Sequence, residues 1–229
     1  MSMDHFDEQR RQMVATIRAG TGHVVAQIGK SALDQRVLQA MAKVARHEFV
    51  PVEFQQYAYA NMPVPIGFDK TISQPFIVAL MTDLLQVKPD DKVLEIGTGL
   101  GYQAAVLAEL AAGVYSIEII DELAKQAVQR LKRQGYDNVE VRVGNGYSGW
   151  PEYAPFDKVI ATAAPDLIPP PLLNQLKAGG KLVIPVGLPD AQQLVVAEKD
   201  QNGRITTREI IPVRFSLLEG GDQSAFVAS

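Results

Sequence analysis

Two glutamates flank a glycine-rich turn near the middle of the chain. Glu95 lies in a short apolar run, residues 93–96, that leads into glycines at positions 97, 99 and 101. Glu118 closes the next apolar run along the chain. An acid at that point can accept hydrogen bonds from both hydroxyls of a ribose, and glycines let a ligand approach the backbone closely. The pattern therefore predicts a nucleoside site.

The spacing of the glycines distinguishes between kinds of nucleotide. The dinucleotide fingerprint G-x-G-x-x-G would need a third glycine at position 102, where the chain has Tyr102. The spacing here is G-x-G-x-G, which fits a nucleoside without a pyrophosphate better than it fits NAD. S-adenosylmethionine is such a nucleoside. A tight strand-to-helix turn that holds no ligand is the alternative interpretation.

Alternating apolar and amphipathic segments predict the elements that position these residues. We expect buried strands at 93–96, 114–117, 139–143, 158–161 and 181–184. Helices are predicted at 121–134 and, started by prolines, at 167–176. Segments 194–198 and 204–211 flank a hairpin signal, Asp-Gln-Asn-Gly. The predicted fold class is α/β: a doubly wound, mostly parallel Rossmann-like sheet that ends in antiparallel strands.

The N-terminal third reads as a helical extension. Helical spacing of apolar residues covers 6–28 and 33–45, and an aromatic- and proline-rich segment, 52–70, predicts irregular structure or short strands. Pro75 suits the first turn of the next helix. We expect one domain, divided into an extension (1–75), a cofactor-binding core (76–185), antiparallel strands (186–219) and a flexible tail (220–229).

Composition narrows the classes of function. The chain has 229 residues and no cysteine, which excludes disulfides, thiolate nucleophiles and thiolate zinc sites. Three histidines lie far apart in sequence, so we expect no metal. The net charge of -4 argues against nucleic acid as a partner. The polar, acidic start and the lack of a long apolar run predict a cytoplasmic protein without a membrane partner, which we expect to be a monomer.

Several strings resemble one family. From about residue 36 to 215 the chain is similar to the protein-L-isoaspartate (D-aspartate) O-methyltransferases, which are class I methyltransferases. The glycine turn marks class I methyltransferases broadly. More specific are T-I-S-Q-P at 71–75 and G-W-P-E-Y-A-P-F-D at 149–157, with R-H-E-F-V-P at 46–51 and P-V-R-F at 212–215.

The resemblance implies a repair reaction. Such an enzyme moves a methyl group from S-adenosylmethionine, leaving S-adenosylhomocysteine, to the α-carboxylate of an L-isoaspartyl residue in a damaged protein or peptide. The ester collapses to a succinimide, which hydrolyses partly to normal aspartate. By family analogy Ser73 is the active-site serine. The implied cofactor-binding residues are Thr71, Ile72, Gln74, Glu95, Gly97, Thr98, Gly99, Glu118, Asn145 and Gly146.

The chain departs from the family pattern at Asn145. The family usually carries Gly-Asp-Gly there, and its acid lies by the adenine amino group, whereas this chain has Gly-Asn-Gly at 144–146. An Asn oxygen can still accept that hydrogen bond, so we expect the cofactor to bind. Two other hypotheses stay open: a methyltransferase diverged to another carboxylate or hydroxyl acceptor, and a non-catalytic binding protein of the same fold.

The implied chemistry suits a site built on a serine. A carboxylate with a pKa near 4 is already ionised at pH 7, so methyl transfer to it needs no general base. The protein must hold oxygen, methyl carbon and sulfur in line, and a hydroxyl such as that of Ser73 can hold the carboxylate. Because Ser73 precedes a helix that starts with proline, a helix-capping role is the alternative interpretation.

Overall fold

A computed structural model describes residues 3–220 of the chain. Of the expected flexible tail only Gly220 falls within that range, so this prediction lies outside the described residues. None of the helices in the described part has the length and apolarity that crossing a bilayer requires.

A seven-stranded sheet forms the centre of the molecule. Its strands are β3 (Lys92–Ile96), β4 (Gly113–Glu118), β5 (Val139–Val143), β6 (Phe156–Ala161), β7 (Leu176–Leu188), β8 (Ala191–Lys199) and β9 (Ile205–Val213). Their order across the sheet is β5-β4-β3-β6-β7-β8-β9, parallel from β5 to β7 and antiparallel for β8 and β9. The predicted α/β fold with an antiparallel end is therefore confirmed.

Helices cover both faces of this sheet. They are α1 (Met3–Thr21), α2 (Val25–Ile28), α3 (Gln35–Lys43), α4 (Pro75–Leu85), α5 (Tyr102–Ala108), α6 (Asp121–Arg133) and α7 (Pro170–Asn174). A separate two-stranded hairpin, β1 (Val64–Gly67) and β2 (Lys70–Ile72), begins within the aromatic and proline-rich segment and ends just after it. Pro75 occupies the first turn of α4, as predicted.

The segment 6–28 is helical, as predicted: α1 ends at Thr21, and a 3-10 turn at Gly22–Val24 connects it to the single turn of α2. One local prediction had the wrong bounds. The helix predicted at 167–176 is only α7, since β7 already begins at Leu176. The Gly-Gly pair at 179–180 lies inside β7, where the register against β6 shifts and Gly179 has a φ of 78°.

The sheet separates two hydrophobic clusters. Val93 on β3 belongs to the larger one, which also contains Met13 of α1 and Ile210 of β9. Leu94 and Ile96 point the other way, into the smaller cluster around Trp150. Because the larger cluster joins the N-terminal helices to the sheet, the extension packs directly on the core. The proposed division into segments stays a prediction.

Candidate active site

The glycine turn connects β3 to α5 at the point where the order of the parallel strands reverses. Gly97 has a φ of 93° and donates its N–H to the carbonyl of Ile117 at 2.8 Å. A Cβ at position 97 would lie 2.5 Å from Oγ1 of Thr162, and that hydroxyl donates to the Gly97 carbonyl at 2.6 Å. Only glycine fits there, since both the backbone angle and the available space exclude a side chain.

A pocket opens at the carboxyl ends of four parallel strands. We call it the glycine-turn pocket; the strand ends that line it are Ile96 and Gly97, Glu118, Gly146, and Thr162 with Ala163. Ligands of open α/β sheets bind at this edge, at such a switch point. The β1–β2 hairpin contributes Ile66, Lys70 and Thr71 to the wall.

Glu118 organises this pocket. Its side chain is buried, and its two oxygens accept from the backbone N–H groups of Gly99 at 2.8 Å and Ile120 at 3.1 Å. Burial raises the pKa of Glu118, while these N–H donors act in the opposite direction. Each carboxylate oxygen can accept a second hydrogen bond, so both ribose hydroxyls of a nucleoside can still be bound. The residue thus ties the glycine turn to the wall of the pocket.

Glu95 does not line the glycine-turn pocket. It is fully buried on the opposite face of β3 from Ile96, and its carboxyl bonds to the hydroxyl of Ser116. The Ser116 hydroxyl also lies 2.6 Å from that of Thr98, which is buried and likewise absent from the pocket wall. Burial raises the pKa of Glu95 to about 8, so this carboxyl is largely protonated at neutral pH. Glu95 and Thr98, which were both predicted to bind the cofactor, therefore lie outside the pocket and stabilise the glycine turn through buried hydrogen bonds.

Replacing Glu95 by glutamine is expected to change how stability depends on pH. The ordinary pKa of 4.5 rises to about 8 on folding, so folding takes up a proton between these values. As the pH rises through this window, this group lowers the free energy of unfolding by at most about 1.4 kcal/mol per pH unit. Urea unfolding at pH 5 and 8.5 should show Glu95→Gln gaining stability relative to the wild type as the pH rises. Glu209→Gln, an exposed control on β9, should track the wild type; a Glu95→Gln variant that also did so would contradict the buried neutral carboxyl.

Asn145 bonds to two parts of the chain. Its Oδ1 accepts from the Tyr147 N–H at 2.9 Å, and its Nδ2 donates to the carbonyl of Gly220 at 2.6 Å. An aspartate could not make the second bond, because a carboxylate has no donor. Oδ1 keeps one free lone pair, which can accept the predicted hydrogen bond from an adenine amino group. Gly146 lines the pocket as predicted, and a Cβ there would lie 2.4 Å from Cγ2 of Ile96.

The segment 216–220, here called the C-terminal strap, lies along the glycine-turn pocket. Backbone hydrogen bonds join Ser216 and Leu218 to Ala164 at 2.9 and 2.8 Å. Glu219 forms an ion pair with Lys70 of the hairpin. The strap places Leu217, Leu218 and Glu219 in the pocket wall. It therefore forms part of the wall that would surround a ligand bound at the glycine turn.

A second pocket adjoins the first. We call it the serine pocket; its wall includes Ser73 and Gln74, Ile77 of α4, and the segment Pro212–Ser216. Thr71, Thr162 and Ser216 line both pockets, so the two cavities share one wall. A group bound beside Ser73 can therefore meet the reactive end of a ligand bound at the glycine turn.

The serine loop is held by a buried arginine. Arg46 has no exposed surface, and it donates to the carbonyl oxygens of Ser73 at 2.7 Å and Ala58 at 2.6 Å. Its guanidinium lies 4.6 Å from the ring centre of Tyr102, the first residue of α5. Burial lowers the pKa of Arg46 to about 10, so the group stays charged at neutral pH. Arg46 thus fixes the backbone of Ser73 relative to the glycine turn.

The helix-capping interpretation of Ser73 is wrong. The N-cap residue of α4 is Gln74, whose side chain makes no capping hydrogen bond, and the Phe76 N–H in the first turn instead donates to Oδ1 of Asn61 at 3.1 Å. Within residues 3–220 the Ser73 hydroxyl has no hydrogen-bond partner, and it faces the serine pocket. This leaves the hydroxyl available to a bound molecule.

Most of the predicted site residues line one of the two pockets. Thr71, Gly97, Gly99, Glu118 and Gly146 line the glycine-turn pocket, while Ser73 and Gln74 line the serine pocket with Thr71. Ile72 does not join them, because it is buried in the larger hydrophobic cluster.

Sequence reasoning missed several residues of the site. Thr162 directly follows the predicted strand 158–161, and that position at a strand's carboxyl end was a usable signal. Arg46 begins the family-like string at 46–51, yet no local pattern indicated that its side chain is buried. No local pattern indicated that the strap lines the pocket. Across residues 3–220 we find no group of three or more His, Asp or Glu side chains placed to hold a metal ion.

Comparisons with known proteins agree with this geometry. The family model described as protein-L-isoaspartate(D-aspartate) O-methyltransferase matches residues 21–223. Protein-L-isoaspartate O-methyltransferase 1 of Polaromonas sp. (strain JS666) is 64% identical over 97% of this chain and 94% of its own length. A second relative, protein-L-isoaspartate O-methyltransferase 2 of Syntrophobacter fumaroxidans, is 57% identical over 95% of this chain and 89% of its own.

Solved structures agree as well. A protein-L-isoaspartate O-methyltransferase matches 89% of this chain and 66% of its own with a TM-score of 0.75 and 26% identity. A Plasmodium falciparum protein of that description, solved in complex with S-adenosyl-L-homocysteine, matches 81% of this chain and 91% of its own with a TM-score of 0.73 and 26% identity. The family model, the relatives and the fold all agree, and the chain belongs to the protein-L-isoaspartate (D-aspartate) O-methyltransferase family.

Proposed function

We propose that this enzyme transfers the methyl group of S-adenosylmethionine to the α-carboxylate of L-isoaspartyl residues in damaged proteins and peptides, at the junction of its two pockets. The observation that carries the proposal is the shared wall: Thr71, Thr162 and Ser216 line both the glycine-turn pocket and the serine pocket. A donor in the first pocket and an acceptor in the second would therefore meet.

The glycine-turn pocket fits the nucleoside part of S-adenosylmethionine. The space beside Gly97 and Gly146 has no room for a side chain, and the buried Glu118 keeps lone pairs for two hydroxyls. When bound, S-adenosylmethionine supplies an electrophilic methyl group on a sulfonium. Glu118 is then the residue that we expect to hold the ribose. The strap, as part of the pocket wall, would exclude water from the bound donor.

The serine pocket supplies a hydrogen-bond donor that can hold an ionised acceptor. The Ser73 hydroxyl can donate to one carboxylate oxygen and leave the other free to attack the methyl carbon. No general base is required, because the acceptor loses its proton well below pH 7. Arg46 holds the Ser73 backbone, so the hydroxyl is fixed before the acceptor arrives. Fixing geometry in this way can supply about 7–11 kcal/mol in favourable model systems.

A labelled-donor assay tests the proposal. Label from S-adenosylmethionine should appear on an isoaspartyl peptide as a base-labile methyl ester. Calorimetry of S-adenosylmethionine binding to the same preparation serves as the control. Donor binding without any ester would move the search to other carboxylate or hydroxyl acceptors, whereas no donor binding would contradict both enzymatic hypotheses.

The proposal also covers the oligomeric state, the location and the partners of the enzyme. We infer a monomer in the cytoplasm that acts without nucleic acid or membrane partners. The net charge of -4 and the absence of cysteine support this setting. Light scattering on an eluting size-exclusion peak would test the monomer.

A further inference from the structure

The serine pocket contains a single charge. Of the residues that line it, Arg214 alone has an ionisable side chain; the others are apolar or carry a hydroxyl or an amide. The glycine-turn pocket is different, since it is lined by two acidic residues, Glu118 and Glu219, and by one basic residue, Lys70. The two cavities therefore have opposite charge, which suits a cationic methyl donor in one and an anionic acceptor in the other.

Arg214 is held by its backbone and not by its side chain. It directly follows β9, whose last residue Val213 pairs with the buried Gln192. The Gln192 amide bonds to both the carbonyl and the N–H of Phe215, at 3.0 and 2.6 Å. Position 214 is thus fixed on both sides, while its side chain is exposed at the pocket.

The Arg214 guanidinium has no partner within residues 3–220. No carboxylate of the described residues lies within 4.0 Å of it, and no hydrogen bond to a carbonyl holds it. Several other arginines are paired: Arg142 pairs with Glu152, and Arg36 and Arg46 donate to backbone carbonyls. An unpaired guanidinium on a fixed backbone, beside a hydroxyl that also lacks a partner, forms a ready site for a carboxylate.

We propose that Arg214 determines specificity for the ionised acceptor: its guanidinium binds the carboxylate that is to be methylated, next to the Ser73 hydroxyl. This inference rests on the proposed function. The guanidinium donates to one oxygen, and the second oxygen keeps a lone pair for the methyl carbon. A neutral amide in the same position would lack the charge that the guanidinium pairs with.

Two peptides of the same sequence test the inference. One carries isoaspartate and the other carries its α-amide, which cannot be methylated but can bind. Calorimetry with enzyme saturated with S-adenosylhomocysteine measures binding of both peptides, and turnover of the first gives its KM. The variants are Arg214→Gln and Arg214→Lys. The control is Arg204→Gln, an exposed arginine outside both pockets that has no side-chain partner among the described residues.

The wild type and Arg204→Gln should bind the carboxylate peptide about tenfold or more tightly than the amide peptide. Arg214→Gln should bind the two peptides equally and raise the peptide KM about tenfold, with the KM for S-adenosylmethionine unchanged; Arg214→Lys should be intermediate. An unchanged preference for the carboxylate in Arg214→Gln would overturn the inference, even if the KM rose. The binding comparison does not depend on turnover, so a wild type that methylates no peptide would contradict the proposed function and still decide the role of Arg214.

Discussion

Replacing Glu118 by alanine is expected to weaken the binding of S-adenosylmethionine by about 1–3 kcal/mol, the range for buried hydrogen-bonding groups that lose their partner. The variant loses the proposed ribose acceptors and also leaves the N–H groups of Gly99 and Ile120 without their partner. Isothermal calorimetry at pH 7 measures the change. Glu209→Ala removes an exposed acid of β9 and should bind like the wild type.

The pH dependence of the same measurement provides a second check. Burial raises the pKa of Glu118, so this carboxylate takes up a proton at a higher pH than an ordinary glutamate. A protonated carboxyl accepts fewer hydrogen bonds, and the affinity of the wild type should fall as the pH is lowered through that pKa. Glu118→Ala should show no such fall. Equal affinities of variant and wild type at pH 7 would remove Glu118 from the ribose site.

Replacing Ser73 by alanine is expected to slow methyl transfer by about 10- to 100-fold, since one hydrogen bond to an ionised group contributes about 1.5–3 kcal/mol. The affinity for S-adenosylmethionine should stay nearly unchanged, because Ser73 lines the serine pocket and not the glycine-turn pocket. Single-turnover kinetics with an isoaspartyl peptide separate this loss from changes in product release.

The control for Ser73→Ala is Ser31→Ala, the same change at an exposed position outside both pockets. It should leave transfer unaltered. The Arg46 contact to Ser73 uses the backbone carbonyl, so the alanine variant keeps its loop in place. Undiminished single-turnover transfer by Ser73→Ala would therefore show that the hydroxyl has no part in holding the acceptor.

The sequence was most informative where apolar periodicity and strand ends coincide. Four of the five parallel strands were predicted within two residues of their observed bounds, because buried strands between turn signals form short continuous apolar runs, whereas β7 (Leu176–Leu188) is much longer than the predicted 181–184. Once the strands are placed, Gly97, Glu118 and Gly146 follow, since the carboxyl ends of parallel strands meet at one edge. The pocket at the glycine turn was thus predictable without coordinates.

The orientation of Glu95 was not predictable in this way. A strand buried on both faces shows no alternation of apolar and polar residues, so nothing marked the face on which Glu95 lies. The structure places it with Val93, opposite Leu94 and Ile96, beside Ser116. Its role is therefore to stabilise the glycine turn through Ser116 and not to contact the ligand.

Contacts between distant segments were also out of reach of a single sequence. Asn145 bonds to Gly220 across 75 residues, and Arg46 reaches Ser73 across 27. Arg214 belonged to a recognised string, yet only the fold places it in the same pocket as Ser73. Such contacts depend on the packing of whole elements, which local patterns do not encode.

The most direct test of the account is methyl transfer from labelled S-adenosylmethionine to a matched pair of peptides, one with isoaspartate and one with normal aspartate at the same position. The account predicts base-labile label on the isoaspartyl peptide alone, appearing about 10- to 100-fold more slowly with Ser73→Ala and at the wild-type rate with Ser31→Ala. Equal label on both peptides, or label on neither while the donor still binds, would contradict it.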